Sequence, residues 1–197
     1  MEQFAVMTEE LSGAGLVESC QRGDREAFRL LFEGHKDKVY SVALYFFGGD
    51  EAAAADVTQQ VFLKLFTRIT QFRRESEFST WLYRLTTNAC IDEQRRRRRF
   101  EPADDAAVSS ALPRARGSAE ERLARREVRD ELRGAIAGLK PKLRIAILLK
   151  YFEELSYAEI ADALGCSQGT VASRINRGHK ALARRLGHLR GSLFRGE

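Results

Sequence analysis

The sequence predicts an all-α protein of two small helical domains joined by a flexible linker, the C-terminal one a helix-turn-helix. Three observations predict this. Apolar residues recur three and four positions apart along most of the chain, and no period-two run is bounded by turn residues. The stretch Glu101 to Ser118 holds two of the three prolines, Asp104-Asp105, Ser109-Ser110 and Gly117, with little apolar periodicity, and is expected to be flexible. Near the C-terminus a capped short helix, a glycine and a long basic helix follow one another.

Asp24 is a cap for a helix that buries Phe28, Leu31 and Phe32 and continues through Val39 to Phe47 until Gly48-Gly49 ends it. Asp50 then caps a long helix to about Ile69, with Val57, Val61 and Leu65, together with Phe62, Phe66 and Ile69, as its expected core face. Thr70 to Glu77 reads as a loop. Ser79 or Thr80 opens a further helix carrying Trp81, Leu82, Leu85, Ala89 and Ile91 into the run Arg95 to Arg99. Beyond the linker, a helix is expected from about Ala119 to about Ala137, and Pro141 suits the first turn of the next, Lys142 to Phe152.

The N-terminus is acidic, without the basic-then-apolar order of a signal peptide, and no apolar run approaches the roughly 20 residues of a membrane helix, so a cytoplasmic protein is expected. Three scattered cysteines and three histidines offer no metal-ligand spacing and no disulfide framework; inert thiols and no cofactor are expected. The net charge of +5 is unevenly spread. Residues 1–92 carry 10 basic against 14 acidic groups, whereas residues 170–197 carry 7 basic groups and the single acid Glu197. A local excess of that kind is a footprint for the phosphates of a nucleic acid.

Ser156-Tyr157-Ala158-Glu159 has the form of a capping box, Ile160, Ala161 and Leu164 face inward, and Gly165 supplies a left-handed stop. Ser167 caps the next helix, on which Val171, Ile175 and Leu182 share a face. Gln168, Thr170, Ser173, Arg174, Arg177 and Lys180 fall mainly elsewhere and form, with Ser167, the expected duplex-reading surface. Arg174 has the fork geometry for a guanine edge; Ser173 and Lys180 suit phosphate.

Asp56-Val57-Thr58-Gln59-Gln60-Val61-Phe62 resembles the segment with which bacterial sigma factors grip RNA polymerase. Phe78 to Leu85 with Asn88, Asp92 and Arg95 resembles their promoter-melting segment, and Gly169 to Arg174 is similar to the opening of their recognition helix. The segments stand in family order over roughly residues 15 to 187, and the size resembles the extracytoplasmic-function group of the sigma-70 family. The resemblance implies a non-enzymatic factor that binds core RNA polymerase and promoter DNA and is controlled by an anti-sigma factor. It implies an extension over residues 1–14, region 2 over 15–99, a linker over 100–118, region 4 over 119–190 and a tail over 191–197. Asp56, Gln59, Gln60, Phe62 and Lys64 would then dock on polymerase, with Gln60 departing from the usual glutamate. Phe72, Arg73, Phe78, Trp81, Arg84, Asn88, Arg95 and Arg98 would open and hold the minus-ten element, Phe78 and Trp81 serving mainly as core. Arg74 stands where the family often has a small residue. Of the arginine run, Arg95 with Arg98 or Arg99 would meet phosphates and the rest would be solvated. Two other classes are a helix-turn-helix regulator acting without polymerase and a nucleic-acid enzyme; for the latter, Asp104-Asp105 is a poor metal site.

Overall fold

The computed structural model describes residues 13–100 and 119–187, in which every regular element is helical. The expected extension, linker and tail fall almost entirely outside the described residues. The α-helices are α1 (Gly13–Gln21), α2 (Arg25–Phe46), α3 (Glu51–Arg68), α4 (Phe78–Phe100), α5 (Ala119–Ala137), α6 (Pro141–Tyr151), α7 (Tyr157–Leu164) and α8 (Gln168–Arg185). A 3-10 turn, Ile69–Gln71, occupies the start of the expected loop, and α4 begins at Phe78, one residue before the expected Ser79.

The caps lie where the side chains demand them. Asp24 accepts from the Glu26 and Ala27 amides at 2.9 and 3.1 Å, and Asp50 from the Ala53 amide at 2.9 Å. Gly48 and Gly49 take φ of 69° and 98°, a left-handed exit that a β-carbon would strain. α3 turns Val57, Val61 and Leu65 into a core built with Val39, Phe46 and Leu82. Phe66 departs from the expected core face: it is 59% exposed, with one edge against Phe28 at 5.0 Å. At 100° per residue it sits well off the axis of the Val57/Val61/Leu65 stripe, so its apolar character alone misplaces it.

α6, α7 and α8 enclose Ile145, Leu148, Leu149, Ile160, Val171 and Ile175, which are continuous with the core of the N-terminal unit. α6 and α8 cross closely at Gly178. A β-carbon there would lie 2.8 Å from Ile147 Cγ1, so the glycine is needed for the approach. The two helical units are also packed on each other, α7 along α4 and α6 against α2. Their contact buries Arg144 of α6. Its guanidinium donates to the carbonyls of Phe46 and Ala137, the last residues of α2 and α5, and to Leu139 O at 2.9 Å. Two helix C-termini, each with unsatisfied carbonyls and partial negative charge, thus share one cation. Burial, and next the positive charge of Arg98, lowers its pKa to about 10.

Candidate nucleic-acid interface and partner-docking face

On α3, Asp56, Gln59 and Gln60 are exposed on the side opposite the core stripe, and Lys64, seven residues after Val57, is half-buried at the margin of that stripe. At the centre of that face stands Leu63, 64% exposed, a residue absent from the sequence-based set. Its spacing of three and four from Gln60, Gln59 and Thr67 was the available signal. Phe62, expected on this face, is 5% exposed and packs its edge on Phe32 at 4.7 Å. It supports the helix from behind and does not reach a partner.

The loop before α4 is fixed from beneath. Gln21 of α1 donates to Ile69 O and Phe72 O, each at 2.9 Å, and Arg74, at φ 58°, is paired with Glu18. Phe72 is buried against Phe78 and Trp81, with ring centroids 5.8 and 5.3 Å away. Phe72 is therefore the floor of the loop, not a stacking surface, which corrects its assignment to the DNA. Phe78 and Trp81 are half-buried beside it, combining core packing with a partly open edge, and Arg73 and Asn88 are exposed.

The arginine run is divided. Arg96 and Arg97 grip the buried carboxylate of Glu93 at 2.7 and 2.9 Å, and Arg97 also reaches Asp50 at 2.6 Å. These arginines, which favour its charged form, hold the Glu93 carboxyl below its usual pKa against the opposing effect of burial. They are therefore not merely solvated, as the sequence had suggested; Arg95, Arg98 and Arg99 remain exposed without an ion pair among the described residues.

In the C-terminal unit the capping box is complete. The Glu159 amide donates to Ser156 Oγ at 3.2 Å, and Glu159 accepts from the Ser156 amide at 2.8 Å. Gly165 (φ 58°) turns the chain, and Ser167 Oγ accepts from the Thr170 amide at 3.2 Å. α8 buries Val171, Ile175 and Gly178 and leaves Gln168, Arg177 and Lys180 exposed, with Thr170, Ser173 and Arg174 half-buried. This is the helix-turn-helix arrangement, with a basic second helix.

Residues 31–100 match the family model Sigma-70 region 2, and residues 129–182 match Sigma-70, region 4. The ECF RNA polymerase sigma-E factor of Escherichia coli (strain K12) is 36% identical over 184 residues, 89% of this chain and 95% of that protein. The chain belongs to the extracytoplasmic-function (ECF) sigma factors of the sigma-70 family.

A second relative of this sigma factor is the ECF RNA polymerase sigma factor SigW of Bacillus subtilis (strain 168). It is 32% identical over 177 residues, 86% of this chain and 94% of its own. Among solved structures, CnrH in complex with the cytosolic domain of CnrY has a TM-score of 0.64 at 25% identity, covering 88% of this chain and 96% of that one. The sigma factor RpoE bound to the anti-sigma factor NepR, from Bartonella quintana, shares the fold with a TM-score of 0.65 at 22% identity, over 81% and 96% of the two chains. The family consists of initiation factors, so the sigma factor is not an enzyme.

Within this sigma factor several residues expected at promoter DNA lie where the two units meet. Arg84, expected at the minus-ten element, donates to Asp162 O at 2.8 Å and pairs with its carboxylate at 2.5 Å. Tyr83 donates to Glu153, whose carboxyl burial pushes above its usual pKa. Arg174 and Arg177 line a cleft opposite Arg95 and Arg98. Among the described residues no helix is long and apolar enough to cross a membrane. Of the cysteines, Cys20 and Cys90 are buried, and burial pushes their thiols up to about 11 and about 12, as inert thiols require.

Proposed function

We propose that this sigma factor acts in the cytoplasm, docking on core RNA polymerase through the face of α3 centred on Leu63 and directing initiation at promoters with minus-ten and minus-thirty-five elements. Asp56, Gln59, Gln60 and Lys64 ring Leu63 with hydrogen-bonding groups, and Phe66 widens the apolar area. Trp81, Phe78, Arg73 and Asn88 receive unpaired minus-ten bases, with Arg95 and Arg98 on nearby phosphates. α8 reads the minus-thirty-five duplex through Arg174, with Gln168, Thr170, Ser173, Arg177 and Lys180 beside it. Ser167 contributes chiefly by capping that helix. An anti-sigma factor is a further partner. The polymerase performs the chemistry.

The observation that carries this reading is the exposed Leu63 amid glutamines on a helix whose opposite face is wholly core. Exposed apolar side chains inside a polar ring mark a protein contact. The closed packing is then the resting form. Two elements about 25 base pairs apart lie roughly 85 Å from each other along a duplex at about 3.4 Å per step. Units in which Arg84 touches Asp162 cannot serve both. The chain between residues 100 and 119 spans at most about 65 Å when extended, which added to the breadth of the two units suffices. Mapping RNA start sites with purified core polymerase and this protein tests the function. Common minus-ten and minus-thirty-five sequences upstream of the starts are expected; duplex binding without promoter-specific initiation would show a regulator that acts without polymerase docking.

A further inference from the structure

The cleft between the two units is a cavity of about 610 Å³, in the range of small-molecule sites. Its walls come from both domains. α4 contributes Arg95 and Arg98, and the C-terminal unit contributes Lys140, Lys142, Arg174 and Arg177. Among the described residues not one carboxylate lines it. Between the cations lies an apolar floor of Ile91, Pro141 and Leu143. Beside that floor, Gln94 Oε1 is buried and receives no hydrogen bond.

These features describe one kind of occupant. Cations gathered from two domains call for a compact polyanion, since no carboxylate among the described lining residues offsets them. The apolar floor calls for a flat apolar surface on the same molecule. A duplex is excluded by size, its major groove alone being about 12 Å wide. We propose that the cleft binds a nucleoside triphosphate, seating the base on Ile91, Pro141 and Leu143 and the phosphates among the arginines of both domains. Such a ligand contacts both units only when they are closed. It therefore favours the closed form by its differential affinity and competes with promoter DNA for Arg95, Arg98 and Arg174.

Titration of the full chain with ATP and GTP, against inorganic tripolyphosphate, tests the proposal without polymerase or promoter, so its outcome is separate from that of the sigma function. One nucleotide per chain is expected, bound about fivefold or more tighter than tripolyphosphate, since the floor adds roughly 1 kcal/mol or more. Lys140→Gln with Lys142→Gln should weaken it by about fivefold or more, each lost charge-assisted contact adding to the effect. Asp162→Ala is the decisive variant. It removes a negative charge, which for plain electrostatic attraction would raise the affinity for an anion. For a ligand that bridges closed units it lowers the affinity, by about twofold to fivefold, because the Arg84 pair that supports closure is lost. Equal binding of tripolyphosphate, or tighter nucleotide binding by Asp162→Ala, overturns the proposal. Thermal unfolding of each variant confirms that the fold is retained.

Discussion

α3 and α8 carry the proposed docking and duplex-reading faces of this sigma factor, and the structure treats them in opposite ways. The α3 face is open, with Leu63 at 64% and Phe66 at 59% exposure, Phe66 keeping one edge on Phe28. The α8 face is partly turned inward: Arg174 and Arg177 line the interdomain cleft, and Arg84 of α4 is tied to Asp162 of α7. With those faces as proposed, the difference implies an order of assembly. The face that meets polymerase is available in the closed form, whereas promoter reading requires the units to part. Docking comes first, and full specificity follows once polymerase holds the two units at the spacing of the promoter elements.

The sharpest way to break this contrast is Leu63→Asp. It places a charge at the centre of the docking face, and affinity for core polymerase should fall by about 100-fold, a loss of hot-spot size. Its melting temperature should hold, because the side chain faces solvent. Equal loss of polymerase binding and of stability would mean that α3 was misassigned. Arg174→Ala should act on the other side only. In competition binding with holoenzyme, discrimination at the minus-thirty-five element should drop by about 1–3 kcal/mol while polymerase affinity stays unchanged.

Gly178→Ala probes the scaffold of α8. The added carbon meets Ile147, and denaturant unfolding should show a loss of roughly 1–3 kcal/mol. Asp162→Ala acts on closure itself. The Arg84 pair is partly exposed, so its loss is worth only about 0.2–1 kcal/mol, and minus-thirty-five duplex binding by the free protein should rise by no more than about fivefold. The smallest effect concerns Glu153, whose carboxyl burial pushes up, with Tyr83 and Lys38 facing it. An acid with a raised folded pKa favours the folded contact when protonated. Closure should tighten below the ordinary carboxylate range and weaken as pH rises through the raised pKa, and Glu153→Gln should remove that dependence in small-angle scattering.

Local features of this fold were readable because their causes are local. Asp24, Asp50, Ser156 with Glu159, and Ser167 cap helices through side chains two or three residues away, and Gly165 stops one by its own φ. The core stripe of α3 was legible for Val57, Val61 and Leu65, which share one heading. Phe62, assigned both to the core face and to the docking set, is core, whereas Phe66, assigned to the core face, is exposed, because an aromatic at the stripe's margin is buried or exposed by what neighbouring helices bring to it. Phe72 went wrong for the same reason: α1, through Gln21, and Phe78 with Trp81 close over it. Arg144 was invisible amid an apolar run, since its partners are carbonyls of Phe46 and Ala137, which no side-chain pattern announces. The division of the arginine run depended on Asp50, more than forty positions away in the chain, and on Glu93, whose burial the sequence does not reveal.

The most direct test of ordered opening is a distance. Fluorophores on cysteines placed at the exposed Ser41 of α2 and Ala183 of α8, with Cys166→Ser, report the separation of the units by energy transfer. The free protein should give high transfer, and addition of core polymerase alone should abolish it before any promoter is present. High transfer that persists in the polymerase complex while promoter-specific initiation proceeds would contradict the account.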